Sequence, residues 1–216
     1  MEDFMANTIE NQNTFVEDLL RQIWITKGAR FNAHRRLRIQ GQHSIRAISL
    51  LTAYLLIVSL FLVIPIFNLS SFQTQLVSYG TSAIAILLLV LSILEGAKEY
   101  ALKGERMHQC AIELSGLYNA IKIEYEKHSR KSTNSLIIAS SATKYQEILM
   151  RAAENHDIID YRYFQSLHSK DFNFTKLEVF WIKLLWFVKV YAVYALLIWG
   201  PPIIIFLLVL NQWTQK

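Results

Sequence analysis

From Ala47 to Phe67 the chain runs for 21 residues without a charged side chain. It does so again for 19 residues from Leu76 to Leu94 and for 21 from Val190 to Leu210. The hydrocarbon core of a bilayer, about 30 Å thick, is crossed by roughly 20 residues of α-helix at 1.5 Å each. All three stretches have that length. The first holds 14 Leu, Ile, Val and Phe residues, which together favour insertion by about 6 kcal/mol, with no charge to oppose them. Helices buried in a soluble core are the competing explanation. With hydrophobic residues at 53% and concentrated in three blocks, too little chain is left to sheath three such helices. The pattern predicts an all-α integral membrane protein: a two-span helical hairpin and a third, C-terminal span.

Charge sets the expected orientation. Seven of the 22 Lys and Arg residues precede the first span, none lies in the short loop NLSSFQTQ, fourteen lie between Lys98 and Lys189, and Lys216 follows the last span. Basic residues are retained on the cytosolic side. The N-terminus and the long middle segment are therefore expected in the cytosol, with the loop near Ser70 and the tail NQWTQK outside. The opening MEDFMANTIE is polar and acidic and does not read as a cleaved signal sequence, so the first span is expected to act as its own insertion signal. Cys110 is the only cysteine, which excludes an internal disulfide.

The expected organisation has four parts: a cytosolic helical segment over 1–46, the two-span hairpin over 47–94, a cytosolic helical region over 95–186, and the third span with a short outside tail over 187–216. After Glu95, apolar residues recur in steps of three and four from Met107 to Tyr125, which predicts an amphipathic helix continuing the second span as a stalk. The polar run His128–Ser135 reads as a turn. A second amphipathic helix carries Tyr145, Ile148, Leu149, Ala152, His156, Ile159 and Tyr163 on one stripe, giving a cytosolic amphipathic hairpin. HSKDFNFT reads as a further break. Trp181 and Trp186 with Lys183 and Lys189 suggest interfacial anchoring of the last helix, and Gly200, Pro201 and Pro202 a kink within it.

Three groups of residues are candidates for function. The stretch Lys27–Arg46 has six Lys or Arg and no acid. It reads either as a topology signal touching anionic lipid or, through Arg30, His34, Arg35 and Arg38, as a phosphate site, since guanidinium presents paired donors to phosphate oxygens. Glu154, Asn155, His156 and Asp160 form a polar group whose spacing places His156 and Asp160 on one helical face. A packed hydrogen-bonded cluster is the simpler account, because a metal needs three or four converging ligands. In the spans, Ser49, Thr52 and Ser59 share one face, and Ser78, Ser82 and Ser92 another. These suit either close helix packing or, after oligomerisation, a weakly polar pore lining. No nucleophile triad, phosphate-binding glycine loop or zinc spacing occurs. No enzymatic activity, metal or cofactor is expected, nor direct nucleic-acid binding.

Three patches carry a family resemblance: WITKGARFNAHRRL before the first span, EGAKEYALKGERMHQCAIELSGLYNAI after the second, and YQEILMRAAENHDIIDYRYF further on. In this order around a two-span hairpin they resemble the SLATT family of small bacterial membrane proteins associated with nucleotide-signalling and SLOG-type genes. The resemblance implies an inner-membrane effector of anti-phage or other conflict systems. Such an effector is expected to oligomerise and to form a pore or disrupt the membrane when a nucleotide second messenger or a neighbouring sensor protein triggers it. A non-conducting, membrane-anchored scaffold is the alternative.

Overall fold

The computed structural model describes residues 2–63, 70–127, 135–152 and 154–214. Six helices follow one another: α1 (Glu2–Val63), α2 (Ser71–Gly96), α3 (Tyr100–Lys127), α4 (Ser135–Arg151), α5 (Ile158–Leu167) and α6 (Lys176–Thr214). All but the last residue of the turn expected over His128–Ser135, and the first residues of the NLSSFQTQ loop, lie outside the described residues; Ser135 opens α4. The chain divides into two compact units. One comprises the chain up to Arg38 with Ala101–Trp186, the other Ile39–Tyr100 with the chain from Phe187 onward.

The first unit is built on apolar stripes that meet. Val16, Leu19 and Ile23 of α1 pack with Cys110, Leu114, Ile121 and Tyr125 of α3 and with Tyr145 and Ile148 of α4, all buried. Spacings of three and four put each set on one helix face, so the burial follows directly from the sequence period. Two polar bonds tie this core across long separations in the chain: Thr26 with Tyr145 at 2.9 Å, and the Tyr125 hydroxyl donating to Glu17 at 2.9 Å. Further along α1 the contacts tighten. Gly28 lies under the Phe164 ring so closely that a Cβ would sit 2.0 Å from the ring. Trp24, Phe164, His168 and Phe172 complete an aromatic cluster.

The second unit contains most of the apolar chain. Three helices are long and apolar enough to cross a membrane, and only 6%, 6% and 17% of their most apolar windows is buried within the chain. Leu56, Leu60, Ile86, Leu87, Ile93, Leu196 and Leu207 are exposed. Such a surface is stable only against lipid or other subunits. The capping box of α2 fixes where that helix starts: the Ser70 hydroxyl accepts from the Gln73 amide, and the Gln73 side chain from that of Ser70. Packing inside the unit is confined to a few places. Gln40, Ser44, Ala47, Val190 and Tyr194 are buried, and Gly41 faces Tyr100, 3.1 Å from where its Cβ would stand. The Tyr194 hydroxyl donates to Glu95 at 3.0 Å and meets that of Tyr100 at 2.9 Å, while Glu95 also pairs with Lys98.

Three expectations are corrected. The stalk is not continuous with the second span: α2 ends at Gly96, and Glu99 adopts a left-handed φ of 51° before α3 begins. A non-glycine residue rarely takes that conformation, and it turns the chain out of the helix. The second amphipathic helix is two helices, interrupted between Arg151 and Ile158. The interruption needs neither Gly nor Pro, because Asp157 caps a new helix in a capping box with Asp160. Trp186 is not a membrane anchor: it is buried and stacks on Tyr163 at 4.6 Å, whereas Trp181 is exposed. The expected break over HSKDFNFT separates α5 from α6, and α6 continues as helix through Pro201 and Pro202.

Candidate functional site

The polar face of α1 from Arg30 to Arg36 meets α3, the 154–157 segment and α5 within the first unit. Arg36 forms the best-made ion pair described. Its Nε and Nη2 donate to the two carboxylate oxygens of Asp160 at 2.8 and 2.9 Å. Asp160 is fully buried and the Arg36 side chain is 11% exposed. The pair is two-pronged, and the Asp160 carboxylate also accepts from the Asp157 amide at 3.2 Å, so its lone pairs are used. Asn32 adds a bond from its amide to the Asp160 carbonyl at 3.3 Å. The start of α5 is thereby clamped to α1.

Six residues earlier on α1, Arg30 is buried with 2% exposure but has no such partner. Its Nη1 donates to the Glu154 carbonyl at 3.0 Å and lies 3.6 Å from the Met107 sulfur, while its Nε, also buried, has no hydrogen-bond acceptor. None of the ion pairs among the described residues includes it. The surrounding carboxylates are engaged elsewhere: Glu154 with Arg106 at 3.4 Å, Asp160 with Arg36, and Asp157 with the Ile159 amide at the α5 N-terminus. A buried charge held only by a carbonyl and a thioether costs several kcal/mol relative to one paired with an anion.

Three imidazoles lie around this position. His34 Nδ1 donates to the Gly104 carbonyl at 2.9 Å, and its ring centre is 4.6 Å from that of His108. His108 packs edge-on to Phe31, and its Nδ1 is buried without a partner. The same holds for His156 Nδ1. Burial pushes the His156 pKa below its ordinary value and the positive charge of Arg30 adds to that, against the opposing pull of Asp160 and Asp157. His156 is therefore neutral at pH 7.

The structure brings Arg30, His34, Glu154, His156 and Asp160 to this one face of α1. Asn155 is exposed, as are Arg35 and Arg38, although Arg35 lies 5.9 Å over the Trp186 ring. His156 and Asp160 do not share a helical face as expected, because His156 precedes the α5 N-cap. Sequence reasoning missed Asn32, Arg36, Met107 and His108. Signals were present for Arg36, which stands in the basic stretch, and for Met107, which opens the apolar stripe of α3 with His108 beside it, but not for Asn32. Among the described residues no group of three His, Cys, Asp or Glu side chains converges as metal ligands.

In the spans, the Thr52, Ser59 and Ser82 hydroxyls donate to the carbonyls of Ile48, Leu55 and Ser78, four residues back, at 2.8, 2.9 and 2.9 Å. Ser49 and Ser78 are exposed, and Ser92 is half-buried. A hydroxyl satisfied by its own helix needs neither water nor a neighbouring helix.

The model of SMODS and SLOG-associating 2TM effector domain family 5 matches residues 12–208 of this chain. The match covers the Arg30 cluster, both helices of the two-span region and nearly all of the third apolar helix. No curated protein and no solved structure matches the chain.

Proposed function

Because the chain belongs to SMODS and SLOG-associating 2TM effector domain family 5, we propose that it is an inner-membrane effector of a bacterial anti-phage or conflict system. It oligomerises and breaches the membrane when a nucleotide signal or a partner protein triggers it. One observation carries this reading: three long apolar helices, almost unburied within the chain, lie inside the region matched by a family of effectors. Apolar helices with so little mutual burial are suited to packing against further copies in the bilayer. Two or three helices cannot enclose a channel alone, so conduction requires several subunits.

In this reading the N-terminus and the first unit face the cytosol, in keeping with the seven basic residues before the first span and the fourteen between Lys98 and Lys189. The trigger acts on the first unit. Helix α1 contributes residues to both units and has no break in its described length, which makes it a better carrier of that signal than the interrupted α2–α3 connection. The test is expression of the full chain with its activating partner while membrane potential is followed by a voltage-sensitive dye. Depolarisation preceding growth arrest supports the reading. Growth arrest at unchanged potential overturns it.

The second reading, a non-conducting membrane-anchored scaffold, is favoured by the back-bonded hydroxyls of Thr52, Ser59 and Ser82, which suit lipid contact as well as a pore wall. Replacing Ser49, Thr52, Ser82 and Ser92 by Ala separates the two. A pore changes its conductance or toxicity, and a scaffold does not.

A further inference from the structure

Buried nitrogen atoms that lack a hydrogen-bond partner are rare in folded proteins, and each calls for an explanation. Four occur among the described residues, and three of them lie in the first unit: Arg30 Nε on α1, His108 Nδ1 on α3 against His34 and Phe31, and His156 Nδ1 in the 154–157 segment within reach of the Arg30 charge. All three are nitrogens that can carry a proton to donate, and the one permanent cation among them is 2% exposed with no carboxylate partner. A structural arginine is ordinarily placed as Arg36 is, six residues further along α1, with both carboxylate oxygens of Asp160 matched to its fork. Arg30 has the same guanidinium without the anion.

The geometry points to a binding site for a phosphate-class oxyanion, formed by Arg30, His108 and His156. A tetrahedral oxyanion offers several acceptor oxygens in different directions. It can take the Arg30 Nε hydrogen and compete with the Glu154 carbonyl for Nη1, leaving oxygens for the two imidazoles. The nearby carboxylates do not fill this role, since Glu154 pairs with Arg106, Asp160 with Arg36 and Asp157 with the α5 N-terminus. The non-helical 154–157 segment meets Arg30 through one carbonyl. An anion at Arg30 therefore acts on the joint between α4 and α5.

The inference rests on the reading that the signal arrives at the first unit, and it names the chemistry received there. A phosphoryl group on a small molecule and one on a lipid headgroup share that chemistry, and the experiment separates them. Full-length protein is placed in phosphatidylcholine nanodiscs and titrated with inorganic phosphate or pyrophosphate against sodium chloride at equal ionic strength. Amide hydrogen exchange is read over Glu154–Asp160. In a second arm, nanodiscs containing phosphatidic acid replace the soluble anions. Saturable protection in either arm, weakened at least tenfold in His108→Asn with His156→Asn, supports the site and identifies its source as soluble or lipid. Arg30→Gln is expected to abolish protection. The paired histidine substitutions, at half-buried positions, keep the test open if that variant does not fold. Absence of saturable protection in both arms, or protection unchanged in the histidine variant, overturns the proposal. Permeability is not measured, so failure of the pore reading leaves this result standing, and the reverse.

Discussion

The two units of this chain are held together by different physics. In the first, apolar stripes of α1, α3 and α4 bury one another, and side chains more than a hundred residues apart in sequence close specific polar bonds: Thr26 with Tyr145, Glu17 with Tyr125, Arg36 with Asp160. In the second, the helices are apolar all round and mostly uncovered, and several of their hydroxyls bond within their own helix. The first unit encodes its structure in pairings between distant segments. The second encodes it in composition and needs lipid or further subunits to complete its burial. Single substitutions should therefore be costly in one and mild in the other.

The largest effect is expected at Arg36–Asp160. Arg36→Ala leaves a fully buried carboxylate unpaired and should lower stability by about 3–5 kcal/mol in denaturant unfolding of the detergent-solubilised protein. Lys122→Ala, which removes one side of the exposed Lys122–Glu126 pair at 3.9 Å, should cost less than about 1 kcal/mol. Equal losses would break the comparison. Next comes glycine. Gly28→Ala forces a Cβ into the Phe164 ring and should cost about 1–3 kcal/mol. Gly80→Ala in α2 meets nothing within 4 Å, so it should be neutral or stabilising by up to about 1 kcal/mol, as expected from helix propensity.

A pH effect should also be specific to the first unit. Because His156 has a lowered pKa when folded, the unfolded chain binds its proton first as pH falls below about 6.5. Stability is then full above that pH and declines below it, until the folded protein is protonated as well. In His156→Gln this part of the acid dependence should disappear from the unfolding midpoint measured between pH 7 and pH 5. The smallest effect is expected in the spans: Ser82→Ala removes a hydroxyl bonded to its own helix and should change stability by less than about 0.5 kcal/mol.

What the sequence revealed follows the same division. The three apolar helices were legible because the signal is local: a run of uncharged residues long enough to span needs no partner to be read. The stripes from Met107 to Tyr125 and through Tyr145 and Ile148 were legible for the same reason, as period. The break between α4 and α5 was not, although Asp157 and Asp160 stand three apart as a capping pair, because the apolar stripe continues across them from Ile148 to Tyr163. The break after Gly96 was hidden too, since a left-handed Glu99 has no sequence signature. The basic stretch drew attention to Arg30, but nothing local distinguished it from Arg36. Asp160, 124 residues away, does so by pairing with one and not the other. Such pairings appear only once the chain has folded.

We propose a signal-receiving unit in the cytosol on a chain whose apolar helices cross the membrane. This arrangement is tested most directly by labelling. In a Cys110→Ala background, Gln75→Cys and Lys122→Cys place single thiols at exposed positions near the start of α2 and on α3. Intact cells with a permeable outer membrane are treated with a membrane-impermeant maleimide. The account predicts labelling of the Gln75→Cys protein at once, and of the Lys122→Cys protein only after the inner membrane is opened. Labelling of the Lys122→Cys protein in intact cells, or protection of the Gln75→Cys protein, would contradict it.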